Sequence, residues 1–600
     1  MADDDLRLSR RALFQVGSAT LAVVQGGDLV TGLTTSTPAM AQPAATVTAA
    51  QYILLRLRQH GVGTLFGIPG ATCDPIFAAA VEASLPVVVT ASDFEAGYAA
   101  DGYARVRGLA AVAVTYGVGT MSLIATISGA FAERSPVVVI NGGPSEEDLR
   151  IQREFGTYFS HSNGREQSDL VMFREVTAYA ARVATVAEIP VIVDTAIRMA
   201  LTKKRPVYIE IPKNLWEAKC PPPQGVLDTA EVPTGAEGRL ADAIVMRLRR
   251  AMRPAVLLGI ELDRYGLTNV AVQLVTRLQL PWATTLLAKS VIPETTPGFV
   301  GVYGGEHSPP SVIRAIEQAD ALLTLGCVFG RQYRRLVARA GNALLVAGND
   351  KVRIGREPPQ AAALPALVAR LTAQTWSADP AVVARTQLHG LTFEERRQSM
   401  PKRTPVPTEA NEPGLTYDDT LAAISGFLDS NFIVVTDTSL SMYPAADLNI
   451  TGERGFVCNS IWQSIGYSVG AAIGVGLGQS RRPLVICGDG GFQTCAQSLS
   501  TMAAQRIPAI VVVLDNGQYG IEQWLLDSDY FGARGAALRP YLDLKRWDYA
   551  GLAKAMGFAT ATTVGSLGEF NTALNQAKSN TGPTLISVAI KRHNLPSGLA

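Results

Sequence analysis

Cysteine and histidine are scarce in this chain. Its six cysteines (Cys73, Cys220, Cys327, Cys458, Cys487, Cys495) are scattered without a C-x-x-C pair, and there are five histidines. That pattern predicts neither a zinc centre nor a disulfide framework. Cys487 reads instead as a small apolar core residue. An excess of one charge sign is also lacking. The formal net charge is +1, and no basic cluster stands out, so a nucleic-acid partner is not expected. Outside the first few dozen residues, no apolar run approaches the roughly 18 residues of a membrane span. What remains is 47% hydrophobic and 18% charged, the composition of an ordinary globular protein. Its 600 residues exceed a single core, so roughly two to four domains are expected.

The N-terminus differs from the rest. "LSRRALFQVGSATLAVV" sets Arg10 and Arg11 before a mildly apolar stretch, and "PAMAQ" follows with Ala39 and Ala41 in an A-x-A arrangement. Residues 1–41 resemble a twin-arginine export signal. Leu13 and Phe14 stand in reverse of the usual order, Gln15 stands where lysine is common, and Asp28 shortens the apolar segment. Export would place the mature chain, without a membrane span, in the periplasm; without export it would be cytoplasmic.

Three blocks follow, at residues 46–215, 236–388 and 415–600. Each alternates short branched-aliphatic runs with helical stretches. Examples are "LAAVAVTYG" in the first, "RPAVLLGIEL" in the second and "PAIVVVLDN" in the third. This predicts an α/β fold of three doubly wound parallel-sheet domains. Two proline-rich linkers, Cys220–Gly235 and Arg396–Gly414, separate the blocks.

The stretch "VICGDGGFQ" carries chemistry. Its apolar run reads as a buried parallel strand, and ligands bind outside the carboxyl ends of such strands. Gly488, Gly490 and Gly491 let backbone approach a ligand closely. Asp489 among them suits an anionic ligand only if a cation lies between. Residues 491–514 then form one helix and one strand, ending at Asp515-Asn516. This brings Asp489 and Asn516 to neighbouring strand ends. One carboxylate, one amide oxygen and a backbone carbonyl near Gln518 leave coordination positions for diphosphate oxygens, as a magnesium ion requires. A helix beginning at about Gly491 would aim its N–H groups at the same anion.

G-D-G followed, across one helix and one strand, by D-N is the thiamine diphosphate signature. The chain resembles the thiamine-diphosphate-dependent 2-oxo acid decarboxylases, the pyruvate, indolepyruvate and phenylpyruvate group, over about residues 46–600. "GDGGFQTCAQSLSTM", "DNGQYGIEQ", "WDYAGLAKAMG" and "LPWATTLLAKSVIPETTPGFVGVYGG" carry the resemblance. It implies pyrimidine-binding, central and diphosphate-binding domains, thiamine diphosphate and Mg2+ as cofactors, and a small 2-oxo acid as substrate. A homodimer or homotetramer with active sites between subunits is also implied. In "WQSIGYS" it assigns Ile465 to the bulky residue that bends the cofactor. In "YGIEQW" it assigns Glu522 to a proton donor whose pKa burial would raise.

Several positions depart from that family. The glutamate that holds the aminopyrimidine stands eight residues before the aspartate of "AADGYAR"; here that position is Asp93. Aspartate is shorter by about 1.5 Å, and a misplacement near 1 Å can cost about 10²-fold. Asp93 is the expected residue; Glu95 would have to point the other way on a helix. An aspartate expected after the glycine of the G-x-P-G loop is Ala71, and a His-His pair is reduced to His161. The first block therefore leans toward carboligases such as benzaldehyde lyase or acetolactate synthase, the third toward decarboxylases. Three readings follow: a non-oxidative 2-oxo acid decarboxylase first, a carboligase second, and a cofactor-binding relative without catalysis third.

Overall fold

The computed structural model describes residues 46–386, 391–532 and 534–599. The export signal expected at 1–41 and the expected end of the second block at residue 388 lie outside the described residues.

Three sheets organise the chain. The first has six parallel strands: Leu65–Gly67, Val87–Val89, Ala110–Thr115, Val137–Gly143, Tyr179–Arg182 and Val207–Pro212. The third has six as well: Phe432–Thr436, Phe456–Cys458, Arg482–Gly488, Ile510–Asp515, Thr560–Val564 and Thr584–Ala589. Numbered along the chain within each sheet, both run 2-1-3-4-6-5. The central sheet runs 3-2-1-4-5, from Pro254–Leu258 to Leu344–Ala347, and ends in two antiparallel strands, Lys351–Ile354 and Gln360–Ala361. The expectation of three doubly wound α/β units holds. The outer two share one winding; the central one differs.

Branched residues explain the strands. "IVVVLD" and "PLVIC" are buried on both faces, as parallel strands covered by helices must be. Helix boundaries follow local chemistry. The helix Asp93–Arg107 starts at Ser92, whose hydroxyl accepts the Glu95 N–H at 3.1 Å, and stops at Gly108 with φ +91°. The stretch after Gly490 departs from expectation. It breaks into Asp489–Thr494 and Ser498–Ala504, and the first helix starts two residues earlier than Gly491. No proline or glycine marks the break. There the Thr494 hydroxyl donates to the Gly491 carbonyl (2.7 Å), competing with the helical ladder, and Cys495 Sγ meets Ser498 Oγ (3.1 Å).

The linkers are not slack. Lys219–Cys220 pairs antiparallel with Val47–Thr48, so chain beyond Leu215 still belongs to the first block's structure. In the second linker Arg396 and Arg397 are buried. Arg397 bonds Asp418 and Asp447, while Arg403 bonds the carbonyls of Phe531 and His593. Among the described residues no helix is long and apolar enough to cross a membrane.

The first and third blocks meet where helix Asp93–Arg107 crosses helix Tyr467–Gly478. The crossing is backbone on backbone. A Cβ on Gly102 would stand 2.2 Å from the Ala471 carbonyl oxygen, and one on Gly474 would stand 1.8 Å from that of Ala99. Gly474→Ala therefore has to push the two helices apart and should destabilise the protein by at least about 1–3 kcal/mol. Gly568→Ala, on a helix where an added Cβ meets nothing within 4 Å, should be neutral or stabilising by up to about 1 kcal/mol. Urea unfolding of the two variants tests the contrast.

Candidate active site

Two strand ends of the third sheet build the polar centre. Gly488 lies opposite Leu514 in register, so the residues after each strand emerge side by side. Asp489 Oδ2 accepts the Gly517 N–H at 2.7 Å and Oδ1 accepts its neighbour's, Gly490, at 2.9 Å. Asn516 Nδ2 donates to the Tyr417 hydroxyl (3.0 Å), while its amide oxygen accepts the Gln518 N–H (3.1 Å). The Gln518 side chain is spent on the Arg592 carbonyl and the Tyr530 hydroxyl, which leaves its backbone carbonyl as the available donor atom. That carbonyl already accepts one bond, from Gly520 at 2.9 Å. Burial, with Asp515 beside it, lifts the Asp489 carboxyl well above the usual carboxylate range. Arg546 approaches Asp515 at 3.5 Å but makes no ion pair with Asp489.

The next strand of the sheet, Phe432–Thr436, delivers Asp437 to the same edge, at the point where the strand order reverses. Sequence reasoning missed it, although it ends the run "NFIVVTD" much as Asp489 follows "VICG". Asp437 is fully buried, and desolvation pushes its carboxyl up to about 7. Its carboxylate accepts from Gly466 N (2.9 Å), Ser468 Oγ (3.0 Å) and Thr438 N (2.9 Å). These bonds fix the turn after Ile465. Gly466 has φ +83°, and a Cβ there would stand 2.0 Å from Thr494 Oγ1, so the Ile465 turn is locked against the Gly-Asp-Gly helix.

The segment ahead of Ile465 is held from the first block. Arg105 is buried between Asp101 (2.9 Å) and Glu133 (2.7 Å) and donates to the Cys458 carbonyl at 2.9 Å. Glu133 in turn accepts the N–H groups of Ile461 (2.7 Å) and Trp462 (3.1 Å). Tyr98 donates to Ser464 at 2.6 Å. Asp101 and Arg105 are the acid and base of "ADGYAR", so that motif grips the loop carrying Ile465.

Ile465 and Glu522 line one cleft of about 520 Å3 between the third block and the central block, with Thr438, Ser439, Tyr443, His307 and Arg331 among the other walls. Glu522 is exposed there, so the burial expected of it is not supplied by the chain's own fold. Ser439 adopts φ +105°, a strained conformation for a residue with a side chain and a frequent mark of functional loops. A larger cavity, about 850 Å3, lies under the second linker and contains none of the expected site residues.

Asp93 and His161 sit elsewhere, at the carboxyl edge of the first sheet. Asp93 opens its helix; its carboxyl is half-buried and shifted upward by that burial, with no hydrogen bond from another described residue. A Cβ on Gly119 would come 3.3 Å from its Oδ1, and one on Gly117 would come 2.4 Å from the His161 carbonyl. Both residues therefore flank the loop after Ala110–Thr115, but neither lines the Ile465–Glu522 cleft. The His161 ring is exposed, as is Ala71. Glu95, two residues on, is fully buried and turned toward Ser498 and Thr501 of the third block. It faces away from Asp93, as expected on a helix.

Three family models match in order. They are the N-terminal thiamine pyrophosphate binding domain over residues 47–163, the central domain over 241–374, and the C-terminal thiamine pyrophosphate binding domain over 438–588. A pyruvate decarboxylase of Oryza sativa subsp. japonica is 30% identical over 520 residues, 84% of this chain and 81% of that protein. This chain belongs to the thiamine-diphosphate-dependent 2-oxo acid decarboxylase family. An alpha-keto-acid decarboxylase of Mycolicibacterium paratuberculosis is 29% identical over 588 residues, 93% of this chain and 96% of that protein. A probable pyruvate decarboxylase of Schizosaccharomyces pombe is 28% identical, covering 90% of this chain and 93% of its own.

The residues of this family member fit the cofactor. The two buried carboxyls of Asp489 and Asp515 lie side by side, and Arg546 reaches Asp515 Oδ1 at 3.5 Å but makes no ion pair with Asp489. A divalent cation is the natural remedy for such a pair. Gly488 opens onto free space, with nothing within 4 Å of an added Cβ, where an anion can approach the backbone. The seam that aligns this family member's Ile465 loop is tested by Arg105→Leu. It leaves Asp101 and Glu133 buried without their cation and should cost about 3–5 kcal/mol, read from urea unfolding.

Proposed function

We propose that the chain carries out magnesium-dependent, non-oxidative decarboxylation of a 2-oxo acid to an aldehyde and carbon dioxide. The juxtaposed Asp489 and Asn516, with the open glycine edge beside them, carry this reading. Asp489, Asn516 and the Gln518 carbonyl would hold Mg2+; Gly488 would let the diphosphate approach the backbone, whereas the space beside Gly490 and Gly491 is taken by Tyr519 and Asp437. Thiamine diphosphate, when bound there, would supply the carbanion and electron-sink chemistry that loss of carbon dioxide from a 2-oxo acid needs. Ile465, on a turn fixed by Asp437, supports the cofactor's bent shape. Asp93 would hold a hydrogen bond to the ring nitrogen of the aminopyrimidine. Glu522 would hand a proton to the substrate carbon that has lost carbon dioxide, with His161 assisting.

Asp93 does not line the Ile465–Glu522 cleft. That separation supports a homodimer or homotetramer in which the first block of one subunit completes the site of another and buries the exposed Glu522. The domain limits 46–215, 236–388 and 415–600 belong to this proposal. So does export to the periplasm by residues 1–41; replacing Arg10 and Arg11 by lysine should stop it, as cell fractionation would show.

The exposed Ala71 and the lone His161 favour a second reading, in which proton delivery is slow and a second carbonyl compound captures the product as a 2-hydroxyketone. Incubation with pyruvate, phenylpyruvate and indolepyruvate decides: aldehyde supports decarboxylation, hydroxyketone the carboligase. Asp489→Asn should lose at least about tenfold in retention of cofactor and magnesium after gel filtration, since it removes a charge-assisted contact of roughly 1.5–3 kcal/mol. Asp93→Ala should slow exchange of the cofactor's C2 proton by about 10²-fold or more; unchanged exchange would move that role to Glu95.

A further inference from the structure

The wall of the Ile465–Glu522 cleft that belongs to the central block is strongly cationic. It is formed by the turn Arg331–Tyr333 and the helix Arg334–Ala340. Tyr333 is the anchor of this segment: it is buried, and its hydroxyl accepts the Leu286 N–H at 3.0 Å. Gln332 fastens it to the third block through the Ser460 carbonyl at 3.2 Å. Arg331, Arg334 and Arg335 are left lining the cleft. Arg335 is neutralised by Glu317 at 3.1 Å. The exposed guanidinium groups of Arg331 and Arg334 make no ion pair or hydrogen bond among the described residues. The two carboxylates lining the same cleft, Glu306 and Glu522, form no ion pair with either arginine. The opposite wall, from helix Gly520–Leu526, is mainly apolar: Ile521, Trp524 and Leu525.

Building on the decarboxylase reading above, we propose that the substrate is a 2-oxo acid with a second anionic group, a carboxylate or phosphonate, which Arg331 and Arg334 receive. The carboxylate next to the ketone is a poor candidate for these arginines. It departs as carbon dioxide, and an ion pair with it would stabilise the ground state against the reaction. A group that persists through the reaction is held without that penalty. Guanidinium matches a carboxylate or phosphonate through paired N–H bonds, and a cleft with low-dielectric walls focuses its field on an incoming anion. The apolar wall then covers the methylenes between the two ends.

The test compares 2-oxoglutarate, its 5-methyl ester and phosphonopyruvate in the full chain and in the Arg331→Met/Arg334→Met variant. Calorimetric titration without thiamine diphosphate reads binding alone; aldehyde release with cofactor and magnesium reads turnover. One of the two dianions should bind at least roughly tenfold more tightly than the ester, the size expected for a hydrogen bond to a charged group. It should lead in kcat/KM by a similar factor, and the variant should bring both ratios toward one. The ratio for each dianion tells carboxylate from phosphonate. An ester that binds as tightly as both dianions, or a variant that keeps the preference, overturns the proposal. Anion-selective binding with no turnover of these or of pyruvate would leave the recognition standing and sink the decarboxylase reading instead. Thermal unfolding of the variant confirms that these exposed positions leave the fold intact.

Discussion

Arg105 is the interaction on which the arrangement rests. A guanidinium shut away from water is costly unless its charge and its donors are met. Here Asp101, Glu133 and the Cys458 carbonyl meet them. Two of those partners belong to the first block and one to the third. Glu133 also reaches across to the backbone at Ile461 and Trp462. The electrostatic demand of one buried side chain thus dictates where the loop to Ile465 runs. Asp437 does the complementary work from below, gripping the turn after Ile465. An apolar side chain is placed by two buried acids, Glu133 and Asp437, that bond the backbone on either side of it.

The site then grows from one geometric fact, repeated. In both outer sheets the strand order reverses between the first and third strands, and loops from either side part there. In the third sheet the reversal carries Asp437 and Asp489; in the first it carries the loops around Gly70 and Gly117, with Asp93 arriving beside them from the neighbouring edge strand. The same winding produces two crevices with different contents, which under the proposed function would take a metal-bound anion and a ring nitrogen. The central sheet, wound 3-2-1-4-5, reverses instead between its first and fourth strands, and the chain after that fourth strand supplies the arginine-bearing wall.

Much of this was legible in the residues. Asp489 and Asn516 could be paired because a strand, a helix and a strand leave few choices for where the chain ends up. The direction of Glu95 followed from its two-residue offset from Asp93 on a helix. Other features were hidden because they depend on partners distant in sequence. Glu133 is one acid among many until its 2.7 Å contact with Ile461 is seen. Tyr417, which orients Asn516 from 99 positions away, leaves no local trace. The break after Thr494 has no breaker residue; side-chain hydroxyls impose it. The exposure of Glu522 is a property of how blocks face one another, which no local pattern encodes.

The crossing of Gly102 against Ala471 and Gly474 against Ala99 has an evolutionary and engineering corollary. Where two helices touch through main chain, neither can be altered alone. Recombining the pyrimidine-side half of one relative with the diphosphate-side half of another would succeed only if both helices, and the Arg105 cluster beside them, came from the same parent. The modular look of the three units is therefore misleading: the outer two are sterically matched to each other.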